Sequence, residues 1–345
     1  MKALNGFLQR LKRGPVDAVG IDIGTTAVKV VRLLRKERAY SLVAADLLPP
    51  LASAADAPAA ADNAGATLSL PPKLRGRYAC LTATAESAIV KLLTFPGHFG
   101  EEAEAKMAES LGIENPDAYR IGYKLITEGH GRAESKILAV ALPDEQAQRL
   151  PRLLPSGLPA PFSVEVSGVA ALTAFLHACG PRHENEAVGV IEFGAAITTF
   201  ALFNKGLPSL VRRFNFGTRA VLDKVREKLG VDLETAQGIM TDGAFDISQP
   251  VNEAMDPLIK QLIISRDFVE RRENCHIGRL YVSGGIVLSP KSMEEIKSLM
   301  EMDVERWNPF ENLTVATGAW PEKLAAQEWR FAAALGAALG TFEET

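Results

Sequence analysis

The sequence predicts an α/β protein made by duplication: two lobes, each begun by a strand–loop–strand unit, with a small α+β subdomain inserted into the first. Three stretches predict it. The first is Val19-Gly20-Ile21-Asp22-Ile23-Gly24-Thr25-Thr26-Ala27-Val28-Lys29-Val30-Val31. An apolar strand enters a tight turn and leaves as a second apolar strand, with the ingredients of a phosphate loop between them. Gly24 lets the backbone approach an anion, and the N–H groups and hydroxyls of Thr25 and Thr26 can donate to it. Asp22 could hold a hydrated Mg²⁺ through a water, and Lys29 adds positive charge nearby.

The pattern returns at Ala187-Val188-Gly189-Val190-Ile191-Glu192-Phe193-Gly194-Ala195-Ala196-Ile197-Thr198-Thr199-Phe200. Setting Asp22 on Glu192 puts Ile21 on Ile191, Gly24 on Gly194 and Val30 on Phe200. Either loop alone is as consistent with an ordinary hairpin as with an anion site. The repetition favours a duplicated fold that clasps a ligand between its halves. The third stretch, Arg279-Leu280-Tyr281-Val282-Ser283-Gly284-Gly285-Ile286, is a short buried-strand pattern, followed by a helix-like run from Pro290 to Met300. A Gly-Gly pair after a strand permits close backbone approach to a flat or charged group.

At 345 residues the chain can bury a large core and is expected to split into lobes. A hydrophobic content of 47% and a charged content of 23% are those of a globular protein. The net charge of −4 gives no reason to propose nucleic-acid binding. Three cysteines, Cys80, Cys179 and Cys275, are odd in number and far apart, which favours reduced thiols in a cytoplasmic chain. His177 and His183 flank Cys179 without zinc spacing, so packing or surface roles are expected. No apolar run is long enough to span a bilayer. Leu4, Phe7, Leu8 and Leu11 fall on one helical face of the N-terminal extension, 1–15, which reads as a short helix packed on the protein or a frayed end, with a membrane-surface or partner-docking helix as the alternative.

Strands are expected at Ala18–Ile23, Val28–Leu34 and Ala39–Leu47, then an Ala- and Pro-rich surface loop to Lys73. Strand patterns at 77–84 and 87–94, a helix over Glu101–Leu111 and two strands around the turn Glu128–Arg132 follow, with His130 at the loop tip. A helix from Asp144 to Leu154 completes an inserted subdomain at 77–160. The first lobe is then 16–76 and 161–186, closed by a C-terminal helix over 322–339; the second is 187–321. Phe216-Gly217-Thr218 opens a helix with Thr218 as its N-cap. The helix expected over Glu253–Glu273 carries Met255, Leu258, Leu262, Phe268 and Val269 as its core stripe.

The three motifs in this order resemble the actin-like (ribonuclease H-like) fold of actin, Hsp70 and sugar kinases. The inserted subdomain points to its FtsA and PilM branch, and the chain resembles the PilM family of type IV pilus assembly proteins from about Val16 to Leu339. The telling pieces are Ile21–Lys29, Phe216-Gly217-Thr218, Tyr281–Gly285 and Trp307-Asn308-Pro309-Phe310-Glu311-Asn312. FtsA-type proteins end in a linker and a membrane helix, whereas this chain stops at Thr345, which disfavours a division protein.

The resemblance implies two lobes around a nucleotide cleft that takes ATP or ADP with Mg²⁺. Its contacts would come from Asp22, Gly24, Thr25, Thr26, Lys29, Glu192, Gly194, Ala195, Gly217, Gly284 and Gly285. It also implies a cytoplasmic scaffold, peripheral to the inner membrane through its partners. Those partners are the cytoplasmic N-terminal tail of a bitopic PilN-like protein, bound in a groove involving the inserted subdomain, and the pilus motor ATPase; self-association is left open. Four departures weaken the implied pocket. Glu192 stands where the family carries Asp, shifting the carboxylate by roughly a bond length. Ala195-Ala196 replaces hydroxyl-bearing residues. Ser167-Gly168 replaces the Glu-Pro whose Glu would orient a hydrolytic water. Gln237 and Met240 replace the Glu and Lys that hold ribose and base. No catalytic residue is assigned. The competing expectations are a working ATPase or nucleotide switch on the same fold and, third, a small-metabolite kinase, which would need a general-base Asp and a sugar cleft.

Overall fold

The computed structural model describes residues 15–51 and 67–343; the amphipathic pattern expected around Leu4–Leu11 lies outside them. In chain order the strands are β1 (Asp17–Ile23), β2 (Val28–Lys36), β3 (Ala39–Leu48), β4 (Tyr78–Ala83), β5 (Ile89–Pro96), β6 (Tyr119–Thr127), β7 (Glu134–Pro143), β8 (Ala160–Val166), β9 (Ala187–Phe193), β10 (Thr198–Asn204), β11 (Leu207–Phe214), β12 (Ile277–Gly284), β13 (Asp303–Arg306) and β14 (Thr314–Val315). The α-helices are α1 (Glu101–Ala105), α2 (Met107–Leu111), α3 (Asp144–Arg149), α4 (Ser167–Ala178), α5 (Thr218–Leu229), α6 (Leu233–Asp242), α7 (Ser248–Glu273), α8 (Pro290–Met300) and α9 (Ala332–Glu343). Among the described residues no helix is long and apolar enough to cross a membrane.

The chain forms two compact units, the first comprising the described residues up to Ala83, Arg149–Ala178 and from Asn308 onward. Its sheet has the order β14-β3-β2-β1-β4-β8. β1, β2 and β3 form an antiparallel meander, and β4 and β8 join in parallel. The strand at 78–83, expected at the start of the insertion, is thus part of this sheet. Val19, Ile21, Val28, Val30, Ala79 and Leu81 build its core with Leu74 and Leu154. Cys80 packs with Ala170 of α4 and Ala337 of α9 in a second cluster. Small residues let these helices reach backbone contact: a Cβ on Gly20 would sit 1.8 Å from the Ala334 carbonyl oxygen, and one on Gly336 1.6 Å from that of Ala170.

The closing helix is shorter than the apolar periodicity predicts. Glu322–Leu324 and Glu328–Phe331 are single 3-10 turns, and Ala326 at φ +56° interrupts any α-helix there. Packing overrides propensity: Trp320 lies edge-on to both Phe310 and Phe331. The Asn-Pro-Phe element also gains a physical account. Asn308 Oδ1 accepts from the Phe310 amide at 3.0 Å, turning the chain so that Phe310 is buried. Asn312 Nδ2 donates to the Ala178 carbonyl at 2.9 Å, satisfying an end of α4.

The second unit takes Thr84–Gln148 and Cys179–Trp307. Its larger sheet has the order β11-β10-β9-β12-β13, and its smaller one β5-β7-β6. Phe95, Phe99, Met107, Leu111, Ile137 and Ala139 form the core beneath α1 and α2, which break at Lys106 instead of running as one helix. β5 and β11, each the edge strand of its sheet, lie against each other without ladder pairing. On α7, Met255, Leu258, Leu262 and Val269 are buried as expected, but Phe268 is 50% exposed. Arg272 covers it, its guanidinium carbon 5.1 Å from the ring centroid.

Candidate functional site

Hairpin geometry sets the first loop. The four-residue connection between β1 and β2 pairs Asp22 with Lys29, and the parallel pairing of β1 with β4 puts Thr82 beside Asp22. Lys29, Asp22 and Thr82 therefore form one row across three strands. Asp22 is buried, and its carboxylate is engaged on both oxygens. Lys29 Nζ lies 3.0 Å from Oδ2. Oδ1 accepts from Thr82 Oγ1 at 2.8 Å and from Ser167 Oγ, at the start of α4, at 2.9 Å.

Above this row the turn is close-fitting, with a Cβ on Gly24 falling 2.7 Å from Lys29 Nζ and 3.0 Å from the Ala27 carbonyl oxygen. Thr26 is exposed. Thr25 Oγ1 is buried without a hydrogen-bond partner, a hydroxyl that an oxyanion seated in the turn would satisfy. The donor set fits a phosphate. It does not fit a metal cage: a carboxylate offers about four lone-pair directions and three at Asp22 are taken, leaving one for a metal-bound water. Among the described residues no three His, Cys, Asp or Glu side chains are grouped to hold a metal.

The second unit repeats the arrangement at the same offsets. Glu192 pairs with Thr199 on β10 and with Ser283 on β12, so Ser283-Glu192-Thr199 stands as Thr82-Asp22-Lys29 does in the first. Thr199 continues the row to Arg213 on β11. The Lys position of the first repeat is thus a buried threonine in the second, with the cation one strand further out. Burial pushes the Arg213 guanidinium below its ordinary range, and the charge of Glu192 opposes that. Arg213 Nη2 donates to the Ala85 carbonyl at 2.6 Å and Nη1 to that of Ala88.

Gly194, Ala195, Gly217, Gly284 and Gly285 converge at the ends of β9 and β12. The Thr218 and Arg219 amides donate to the carbonyls of Gly194 and Ala195, each at 3.0 Å. The first turn of α5 is therefore spent on the loop itself. A Cβ on Gly217 would lie 2.4 Å from the Ala195 carbonyl oxygen, and one on Gly284, at φ +89°, 2.1 Å from that of Phe193. Gly285 faces Thr218, whose methyl would be 3.4 Å from an added Cβ. The expected Thr218 cap is corrected: Gly217 is the N-cap, with no side-chain cap bond, and Thr218 is the first helical residue. The loop carbonyls do the capping, and only glycine fits against Ala195. Gln237 is exposed on α6, whereas Met240 is buried.

The structure thus gathers Asp22, Gly24, Thr25, Thr26 and Lys29 at one end of the first sheet, and Glu192, Gly194, Ala195, Gly217, Gly284 and Gly285 at one end of the second. Thr82 and Arg213 are the residues that sequence reasoning missed. Their only signal was a strand position in register with an acid, which needs the pairing to be known.

A family model described as type IV pilus assembly protein PilM matches residues 125–342. A search among curated proteins returns no match. Among solved structures, the chain is similar to a PilM–PilN type IV pilus biogenesis complex, with a TM-score of 0.73 at 19% identity, covering 95% of this chain and 99% of that one. Fainter likenesses include ethanolamine utilization protein EutJ from Carboxydothermus hydrogenoformans (TM-score 0.43, 14% identity, 94% and 90% of the two chains). Component A of the (R)-2-hydroxyglutaryl-CoA dehydratase of Acidaminococcus fermentans gives a TM-score of 0.44 at 11% identity, over 96% and 99%. The fold is actin-like, as the repeated strand–loop–strand units lead one to expect.

Proposed function

The chain belongs to the family of type IV pilus assembly protein PilM, and from that membership we propose that it is a non-catalytic adaptor of a pilus or related secretion machine. It binds the short cytoplasmic N-terminal tail of a bitopic inner-membrane protein resembling PilN, with the inserted subdomain contributing to the groove. Through that partner it sits on the cytoplasmic face of the inner membrane. The similar solved structure is a complex of PilM with PilN, which supports the choice of partner.

The observation that carries the non-catalytic reading is the bond from Ser167 to Asp22. A hydroxyl stands where a carboxylate would orient water, and it is spent on holding the acid. Calorimetry with the whole chain tests the adaptor reading: a synthetic PilN-like tail peptide is expected to bind one to one, and its failure to bind would remove that reading.

A nucleotide switch is the second reading, favoured by the unpartnered Thr25 hydroxyl and by Lys29 poised over Gly24. ATP or ADP then binds weakly through Gly24, Thr25, Thr26 and Lys29. Each missing charged hydrogen bond costs about 1.5–3 kcal/mol, which places the affinity in the high micromolar range. Steady phosphate release abolished by Asp22→Asn would promote this reading above the adaptor.

A further inference from the structure

The second unit contains a cavity of about 700 Å³ that the preceding readings do not use. Its walls include Leu92 and Thr94 of β5, Leu210 and Arg212 of β11, Lys136 of β7 and Arg272 near the end of α7. Both long walls are sheet edges that face each other: among the described residues β5 pairs with β7 and β11 with β10. Such an edge offers outward N–H and C=O groups to any extended chain laid along it.

The cavity is cationic. Lys91, Lys136, Arg212 and Arg272 line it together with two carboxylates, Glu134 and Glu273. Glu273 is compensated locally, by Arg272 at 2.8 Å, by Asn204 at 3.1 Å and by the Ser209 hydroxyl. Arg212 instead donates to the neutral Ser265 hydroxyl at 2.9 Å, and Lys91 to the Leu111 carbonyl at 2.8 Å, so neither charge is cancelled. A bare phosphate would meet Glu134 and leave the two strand edges unused. A polypeptide uses both features.

Arg272, which lines the cavity, also ends an apolar strip on α7. Ile264, Phe268 and Arg272 stand one turn apart on the solvent face of α7, the first two 56% and 50% exposed. Exposed apolar side chains beside a charged groove suit a contact with protein.

We infer that this cavity is a docking groove for an extended acidic segment of a partner protein. The segment runs extended between β11 and β5, sets its carboxylates against Lys91, Lys136 and Arg212, and lays an apolar side chain on Phe268 and Ile264. The groove is a second binding surface and does not depend on the tail reading.

The probe is a blocked, fluorescein-labelled peptide of about ten residues, long enough to pair as one strand, with Glu alternating with Val and a Leu at the end. Fluorescence anisotropy with the full chain is expected to show binding that weakens about tenfold as salt rises from ~50 to ~300 mM. Amide exchange at Leu210–Arg212 is expected to slow when the peptide is bound. The pair Lys136→Glu with Arg212→Glu should weaken binding at least about tenfold. The pair Ile264→Ser with Phe268→Ser, on an exposed helix face, should weaken it a few fold while leaving the unfolding midpoint unchanged, and decides the matter if the charge-reversed chain does not fold. Equal binding of a peptide with Lys in place of Glu, no binding of the Glu peptide, or affinity unmoved by both variant pairs would overturn the inference.

Discussion

Arg213 ties two segments of the second unit together through its guanidinium, and Arg213→Met tests what that tie is worth. The guanidinium donates to the carbonyls of Ala85 and Ala88, both on buried residues, and so ties the segment leading into β5 to the edge of the larger sheet. Each bond from a charged donor is worth about 1.5–3 kcal/mol, a gross loss of roughly 3–6 kcal/mol. Part of that is recovered. Arg213 Nε is buried without a partner, and its removal with the charge's burial penalty returns about 1–3 kcal/mol. The net expectation is about 2–3 kcal/mol, concentrated where the ties are. Urea denaturation should show a lower midpoint, and hydrogen exchange should show 84–96 opening more readily than the strands β9 and β10. Arg213→Lys, which can keep one of the two bonds, should fall between. If Arg213→Met unfolds within about 0.5 kcal/mol of the parent, with unchanged exchange in 84–96, the tie is not holding the unit together.

Thr25→Val removes a buried hydroxyl that lacks a partner, so thermal unfolding is expected to be unchanged or raised while ATP affinity measured by calorimetry drops; a clear loss of stability would show that the hydroxyl is satisfied. Gly336→Val drives a side chain into the Ala170 carbonyl at backbone contact and should lower Tm by at least about 5 °C, whereas a parent-like melt would mean α9 does not pack there. His177 is held below the usual histidine pKa by burial, with Glu343 opposing, and its Nε2 has no partner. The unfolded chain therefore takes up this proton first as pH falls, so the stability contribution is full above about 6.5 and declines below it. Urea midpoints at pH ~7.5 and ~5.5 should differ less in His177→Phe than in the parent, and identical pH slopes would discount the site.

Much of the site was legible in the chain because hairpins are local. A turn of set length pairs Asp22 with Lys29, and a second copy at the same spacing pairs Glu192 with Thr199, so both loops and the duplication follow from short-range order. The glycines at 24, 284 and 285 could be read as places of close approach, though not what approaches them. Tertiary structure alone decided the rest. Thr82 and Ser167 reach Asp22 across 60 and 145 residues, joined only by parallel strands whose register no local pattern encodes. The span 322–339 carries an apolar helical pattern, yet Trp320 and Phe331 are better buried around Phe310 with the helix delayed to Ala332. Phe268 belongs to the periodic stripe of α7, but the stripe is wider than the surface available to cover it, and the ring is left to Arg272 and solvent. Periodicity says which face of an element is apolar; what that face meets is set by chain that arrives from far away.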